Sequence, residues 1–140
     1  MADVEISTDP ARIDVGLVHG FLAGSYWAAG RAREVVERSI RHSLCFGAYC
    51  DGRQIGFARL ITDRAVFAYL ADVFVVPEYR GRGIAKLLLE AILHHPELKG
   101  VRLFRLGTRD AHGLYERYGF KRMIDPHRSM ELFVDETEGS

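Results

Sequence analysis

An arginine- and glycine-rich turn, Arg80-Gly81-Arg82-Gly83, follows the apolar pair Val75-Val76 at a distance of three residues and leads straight into the helical sequence beginning Ile84-Ala85. Residues of these types at this spacing hold anions. A helix start leaves about four backbone N–H groups unpaired and carries the positive end of the helix dipole. Gly81 and Gly83 have no Cβ to block an anion's approach to the backbone, and Arg80 and Arg82 add charge that a guanidinium delivers in a bidentate fork. The set suits a pyrophosphate; the blander reading is an ordinary surface turn. Just upstream, Asp72 is the only carboxylate within the apolar run Val66 to Val76. A carboxylate buried in such a run must be paired, hydrogen-bonded or protonated. Desolvation raises a carboxyl pKa towards the range of a proton relay, which would make Asp72 a base for an amine. Equally, Asp72 is placed to anchor a loop or an arginine from a neighbouring strand.

Other polar residues carry weaker signals. Arg59 alternates with Phe57 and Ile61 on the preceding strand and is a candidate acceptor-binding cation. Glu78 and His112 read as exposed, and His94-His95 beside Pro96 lack further ligands at metal-binding spacing, so no metal is expected. Cys45 and Cys50 are too few for a disulfide scaffold and read as reduced packing residues.

Elements that would position these groups follow from periodicity. Val4 to Ile6 reads as a short strand, Ile13, Leu17, Val18, Phe21 and Leu22 as one helical stripe, and about Arg31 to His42 as a second helix. Leu44 to Tyr49 and Gln54 to Ile61 read as a hairpin turning at Asp51-Gly52. Val66 to Val76 is apolar almost throughout, as in a strand covered on both faces. Ile84, Leu87, Leu88, Ala91 and Ile92 keep the spacing of a helix packed on a sheet and end at His94-His95-Pro96. Val101 to Leu106 reads as a strand, and Ala111, Leu114 and Tyr118 mark the buried face of a short helix closed by Gly119. Phe120 starts an extended segment, Met130 to Val134 adds a last strand, and the acidic tail from Asp135 reads as frayed. The order describes an α/β or α+β arrangement of helices around one mixed sheet.

Composition narrows the class. The 140 residues suit one domain spanning 1–140, with 48% hydrophobic content sufficient for a sizeable core. Nineteen Lys and Arg balance nineteen Asp and Glu, so no global field draws the chain to nucleic acid or an anionic membrane. No apolar run is long enough to span a bilayer, and Met1 to Glu5 lacks the basic start and apolar stretch of a secretory leader. A cytoplasmic location is expected.

The segment Arg80-Gly81-Arg82-Gly83-Ile84-Ala85 resembles the acyl-CoA-binding motif R/Q-x-x-G-x-G/A of the GNAT superfamily of N-acetyltransferases. Ala111 to Phe120 resembles that family's second signature, A-x-x-L-Y-x-x-x-G-F, one strand and one helix later. The likeness extends over nearly the whole chain, in outline only for the first 45 residues. It implies a mixed, mostly antiparallel sheet of six to seven strands flanked by about four helices, with strand splay forming an acyl-CoA cleft. It also implies acetyl-CoA as co-substrate, its pyrophosphate on the N–H groups of Arg82, Gly83, Ile84 and Ala85 and its pantetheine amides paired with Val73 and Val75. Tyr115 takes the family position of the proton donor to the departing thiolate, one place off the Ala111/Leu114/Tyr118 face. Thr108 stands where many members carry an Asn that contacts pantetheine, and a hydroxyl cannot reproduce both amide functions. Tyr26 and Trp27 lie in the loop between the first two helices, which usually helps build the acceptor pocket. The resemblance implies as acceptor a primary amine of a small molecule or protein, attacked directly in a ternary complex; its identity stays open, as does the oligomeric state, a homodimer included. A non-catalytic acyl-CoA-binding module is the alternative. A nucleotide-binding role is disfavoured because no Lys-Ser or Lys-Thr follows the turn.

Overall fold

The computed structural model describes residues 3–134. The chain divides into two compact parts, residues 1–107 and 108–140. The first part holds one five-stranded sheet in the order β1-β2-β3-β4-β5: β1 Glu5–Ser7, β2 Leu44–Cys50, β3 Arg53–Thr62, β4 Phe67–Val75 and β5 Leu103–Leu106. The first four strands pair antiparallel in sequence order. β5 lies parallel to β4, as a strand must when it returns through a crossover helix. Helices α1 Val15–Ala23 and α2 Arg33–Arg41 precede the sheet's long hairpin, and α3 Ile84–Leu93 joins β4 to β5.

Local chemistry accounts for these boundaries. The Asp14 carboxylate caps α1 by accepting from Leu17 N at 3.0 Å, and Asp14 N in turn donates to Gln54 Oε1 at 2.7 Å. The buried Gln54 amide completes its bonding at Gly56 O, 3.0 Å away, so a polar side chain ties the helix start to β3 without an orphaned group. Asp51 and Gly52 have φ of 51° and 76°, the pair of positive values that a tight hairpin turn between twisted strands requires.

The core forms where α3 covers one face of the sheet. Ile84, Leu88, Leu89 and Ile92 of α3 are buried, with Phe46, Ile55 and Leu60 among the buried side chains of β2 and β3. Leu89 replaces the expected Leu87, which is exposed. Phe21 of α1 stacks on Phe74 of β4 with ring centroids 4.0 Å apart, and Phe74 also meets Phe57 of β3 at 5.8 Å. Each such pair adds about 1 kcal/mol beyond area burial.

Two expectations need correction. β4 is not covered on both faces: Ala68, Leu70, Asp72 and Phe74 are buried, while Phe67, Tyr69, Ala71, Val73 and Val75 keep partial exposure. The strand buried along its whole length is β2, whose small residues Gly47 and Ala48 let both faces close over it. The sheet has five strands rather than six to seven. Among residues 108–134 the structure has helix α4 His112–Glu116, a 3-10 turn Pro126–Arg128 and no strand. Asp125 caps that turn by accepting from His127 N at 3.2 Å, and Pro126 has no N–H to give a ladder. The extended segments expected from Phe120 and at Met130–Val134 have strand-forming composition but no hydrogen-bonded neighbour, and β propensity without a partner strand forms no ladder. The acidic tail lies outside the described residues. No described helix is long and apolar enough to cross a membrane.

Candidate active site

β4 ends at Val75, and the chain passes through a 3-10 turn, Pro77–Tyr79, before α3. Gly81 and Gly83 both have φ of 78°, and Gly83 is the residue that caps α3. No side chain caps this helix, and the N–H groups of Arg82, Gly83, Ile84 and Ala85 donate to no protein acceptor among the described residues. A Cβ built on Gly81 or Gly83 would meet no protein atom within 4 Å. Glycine is therefore demanded here by backbone conformation, and the space beside it is open. Arg80 folds back: its Nε donates to Val75 O at 3.2 Å. The Arg82 guanidinium lies 4.8 Å from the centroid of the Tyr79 ring. Glu78 pairs with Arg53 at 3.1 Å on the surface, in keeping with its expected exposure.

The edge of β4 beyond Leu70 is unpaired on the β5 side, because β5 ends at Leu106. β5 pairs with β4 only from Phe67 to Leu70, so Ala71 to Val75 have no strand on that side. Val76 N donates to Ile55 O of β3 at 2.9 Å. Backbone groups alternate in direction along a strand, so Val73 and Val75 turn theirs to the open edge. The turn and this edge are continuous, and together they offer a helix terminus to a phosphate and a strand edge to an extended amide chain.

Asp72 sits at a break in register between β3 and β4. Phe57 faces Phe74 and Arg59 faces Ala71, leaving Ala58 opposite two residues of β4, a β-bulge at Asp72-Val73. Asp72 itself has φ of 55°, a left-handed conformation that aspartate tolerates better than most residues. Its carboxylate is 2% exposed and accepts three bonds: from Arg59 Nε at 2.9 Å, from Arg31 Nη1 at 3.0 Å and from Trp27 Nε1 at 2.8 Å. Burial pushes the Asp72 carboxyl up, but the hydrogen bond and charge of Arg59, with Trp27 and Arg31, outweigh it and hold the group below the ordinary carboxylate range. The expectation of a raised pKa is overturned, because the apolar strand supplies desolvation while other elements supply two guanidiniums. Arg59 Nη1 also donates to Ser43 Oγ at 3.1 Å.

The structure thus brings three sequence candidates together, Trp27, Arg59 and Asp72. Arg31 and Ser43 escaped the sequence reading. The signal for Arg31 was the buried carboxylate itself, which needs a counter-charge, with Arg31 following Gly30 at φ 80° in the same loop as Trp27. Tyr26 is 54% exposed and meets Trp27 edge-on at 5.1 Å.

In residues 108–134, Thr108 Oγ1 accepts from Ala111 N at 3.0 Å, so its hydroxyl shapes the turn into α4. Tyr115 is the buried residue of α4, and Ala111, Leu114 and Tyr118 are only half-buried, the reverse of the expected face. Its ring meets Phe120 in a T-shaped contact at 5.8 Å, and Phe120 N donates to Tyr115 O at 3.2 Å, folding the chain back at Gly119. His112 is exposed. No cluster of three His, Cys, Asp or Glu suited to a metal occurs among the described residues.

Comparison with known proteins agrees with this geometry. Residues 41–122 match the model of the acetyltransferase (GNAT) domain family. A crystal structure of a GNAT-family protein from Xanthomonas campestris pv. campestris is 52% identical, superposes with a TM-score of 0.92, and covers 96% of this chain and 95% of its own. A candidate acetyltransferase of Gibberella zeae is 29% identical over 99% of this chain and 92% of its own length. The glucosamine-6-phosphate N-acetyltransferase of Arabidopsis thaliana shares the fold at a TM-score of 0.66 and 14% identity. The chain belongs to the GNAT acetyltransferase family, and acetyl transfer is its class of reaction.

Proposed function

We propose that residues 1–140 are a single N-acetyltransferase domain that moves an acetyl group from acetyl-CoA to a primary amine by direct attack in a ternary complex. The observation that carries this reading is the continuity of the uncapped α3 terminus with the open edge of β4. Pyrophosphate sits on the N–H groups of Arg82, Gly83, Ile84 and Ala85, and the pantetheine amides pair with the backbone of Val73 and Val75. Arg80 and Arg82 supply charge around the phosphates. Arg80 also holds the Val75 carbonyl, so the pantetheine arm pairs there with the N–H. A strand rises about 3.3 Å per residue, so the four steps from Val76 back to Asp72 span roughly 13 Å. An extended pantetheine arm covers a similar length, which carries the thioester sulfur to the level of the bulge.

Attack requires a neutral amine, and the departing thiolate requires a proton or a hydrogen bond. Tyr115 serves as that donor, the role its place in the second signature implies, and Thr108 takes over part of the pantetheine contact. Asp72 accepts three strong bonds and has little basicity left, so its part is to hold Trp27, Arg31 and Arg59 while water receives the amine's proton. The acceptor wall includes Trp27, Tyr26 and Arg59. The reaction takes place in the cytoplasm, needs no metal, and leaves room for a homodimer.

Calorimetry with acetyl-CoA, followed by thiol release against an amine panel, tests the proposal. Binding with amine-dependent thiol release supports it. Binding without release from any amine favours a non-catalytic acyl-CoA module.

A further inference from the structure

The bulge of β4 carries an imbalance of charge that folding does not need. Two guanidiniums, Arg31 and Arg59, meet the single carboxylate of Asp72, both on Oδ2. The sum is one surplus positive charge. No other carboxylate is paired with either arginine among the described residues: Glu34 and Glu37 of the adjacent α2 are taken by Arg38 and Arg33. A buried ion cluster with structural duty alone would be expected to close at neutrality, because uncompensated charge in a partly desolvated site is costly.

The two arginines differ in what they have left to offer. Arg59 is 12% exposed and spends Nε on Asp72 and Nη1 on Ser43. Arg31 is 25% exposed and spends only Nη1, so its Nε and Nη2 hydrogens are open to a ligand. A guanidinium fixed by one nitrogen with its remaining donors free is pre-organised for a second carboxylate. Trp27 is pinned by its Nε1 bond to the same Asp72 and keeps 40% of its surface exposed, so an aromatic wall stands on the loop that carries Arg31.

We infer that the acceptor amine also carries a carboxylate, which the free donors of Arg31 take at the β4 bulge, with Arg59 adding charge from beneath. This deepens the proposed acetyl transfer and rests on that reading for the place of the thioester. One surplus charge matches one carboxylate. Polyamines and amines without an anion are disfavoured by the same field.

The test compares L-phenylalanine and 4-aminobutyrate with phenylalaninamide, phenethylamine, spermidine and O-phosphoethanolamine, by thiol release and by calorimetry in the presence of CoA. The carboxylate-bearing amines are expected to have kcat/KM at least ten-fold above those that lack an anion. Arg31→Gln is expected to erase that preference while leaving acetyl-CoA affinity unchanged. Arg31→Lys should restore part of it. Equal rates with and without the carboxylate overturn the inference, and so does a preference that survives Arg31→Gln or one confined to the phosphate-bearing amine. If no amine reacts, calorimetry decides: carboxylate binding lost in Arg31→Gln supports the site, and binding equal in the two proteins, or absent from both, overturns it. Failure of acetyl-CoA itself to bind counts against the donor reading and is scored separately.

Discussion

Trp27 Nε1 donates to Asp72 Oδ1 at 2.8 Å, joining the loop between α1 and α2 to the bulge of β4 through a carboxylate that also receives Arg31 and Arg59. Removing that carboxylate leaves two guanidiniums facing each other in a partly desolvated site. Asp72→Ala is expected to cost about 3 kcal/mol, which corresponds to a Tm lower by roughly 10 °C. The folded pKa of Asp72 lies below its ordinary value of 3.8, so its stabilisation is fully present above that pH and is lost as pH falls through the folded value. The difference in stability between wild type and Asp72→Asn should therefore be flat above about pH 5 and close below pH 3.8. Chemical denaturation across pH measures this directly. A general base would leave another trace: Asp72→Asn would abolish the ascending limb of the kcat/KM profile. We expect that limb to persist, with the damage appearing in acceptor KM.

Gly83 offers a separate handle on the donor site. At φ 78° an alanine costs about 1–2 kcal/mol through backbone strain alone, and its Cβ would meet no protein atom within 4 Å. Any loss of acetyl-CoA affinity in Gly83→Ala, measured well below its Tm, thus reports a ligand occupying that open space. A rise of about ten-fold in the acetyl-CoA Kd is expected. Unchanged affinity would remove the pyrophosphate from this turn.

The turn and the second signature were legible because they are local: glycines at positive φ and a strand-to-helix junction are written in consecutive residues. The strand count was not. Met130 to Val134 has the composition of a strand, yet a strand exists only with a neighbour, and no local rule says which neighbour is present. The raised carboxyl pKa expected of Asp72 fails for the same reason, while the other reading, an anchor for a loop and a neighbouring strand's arginine, matches its bonds to Trp27, Arg31 and Arg59. Its own strand predicts desolvation, but Arg31 lies 41 positions upstream and Arg59 13, so the balance of burial against charge became visible only after folding. Trp27 and Arg59 were each singled out alone; the bulge that brings them together follows from strand register, which hydrophobic periodicity does not encode.

Burial pushes the Cys45 thiol up to about 12, against the smaller opposing pull of Arg59. At pH 8 its thiolate fraction is then on the order of 10⁻⁴. In a Cys50→Ser background the native protein should give almost no colour with a disulfide reagent over an hour, and one thiol equivalent after denaturation. Rapid native labelling of Cys45 would mean that the β2 core opens far more often than its burial implies. In the Cys50→Ser background a silent Cys45 also means that thiol-release assays read CoA rather than the protein.

Tyr115 is the sharpest test of the chemistry, since its hydroxyl and its ring have separable duties. The ring is buried and meets Phe120, so Tyr115→Phe keeps the packing and removes only the oxygen. With the phenol as proton donor to the thiolate, kcat should fall about 10²-fold or more, while acetyl-CoA KM stays near wild type. Tyr115→Ala loses the ring as well and should cost about 3 kcal/mol of stability in addition. A kcat loss shared equally by both variants in proportion to stability would assign Tyr115 to packing. A loss in Tyr115→Phe that disappears with a thioester of a more acidic thiol, whose leaving group needs no proton, would identify the hydroxyl as the acid.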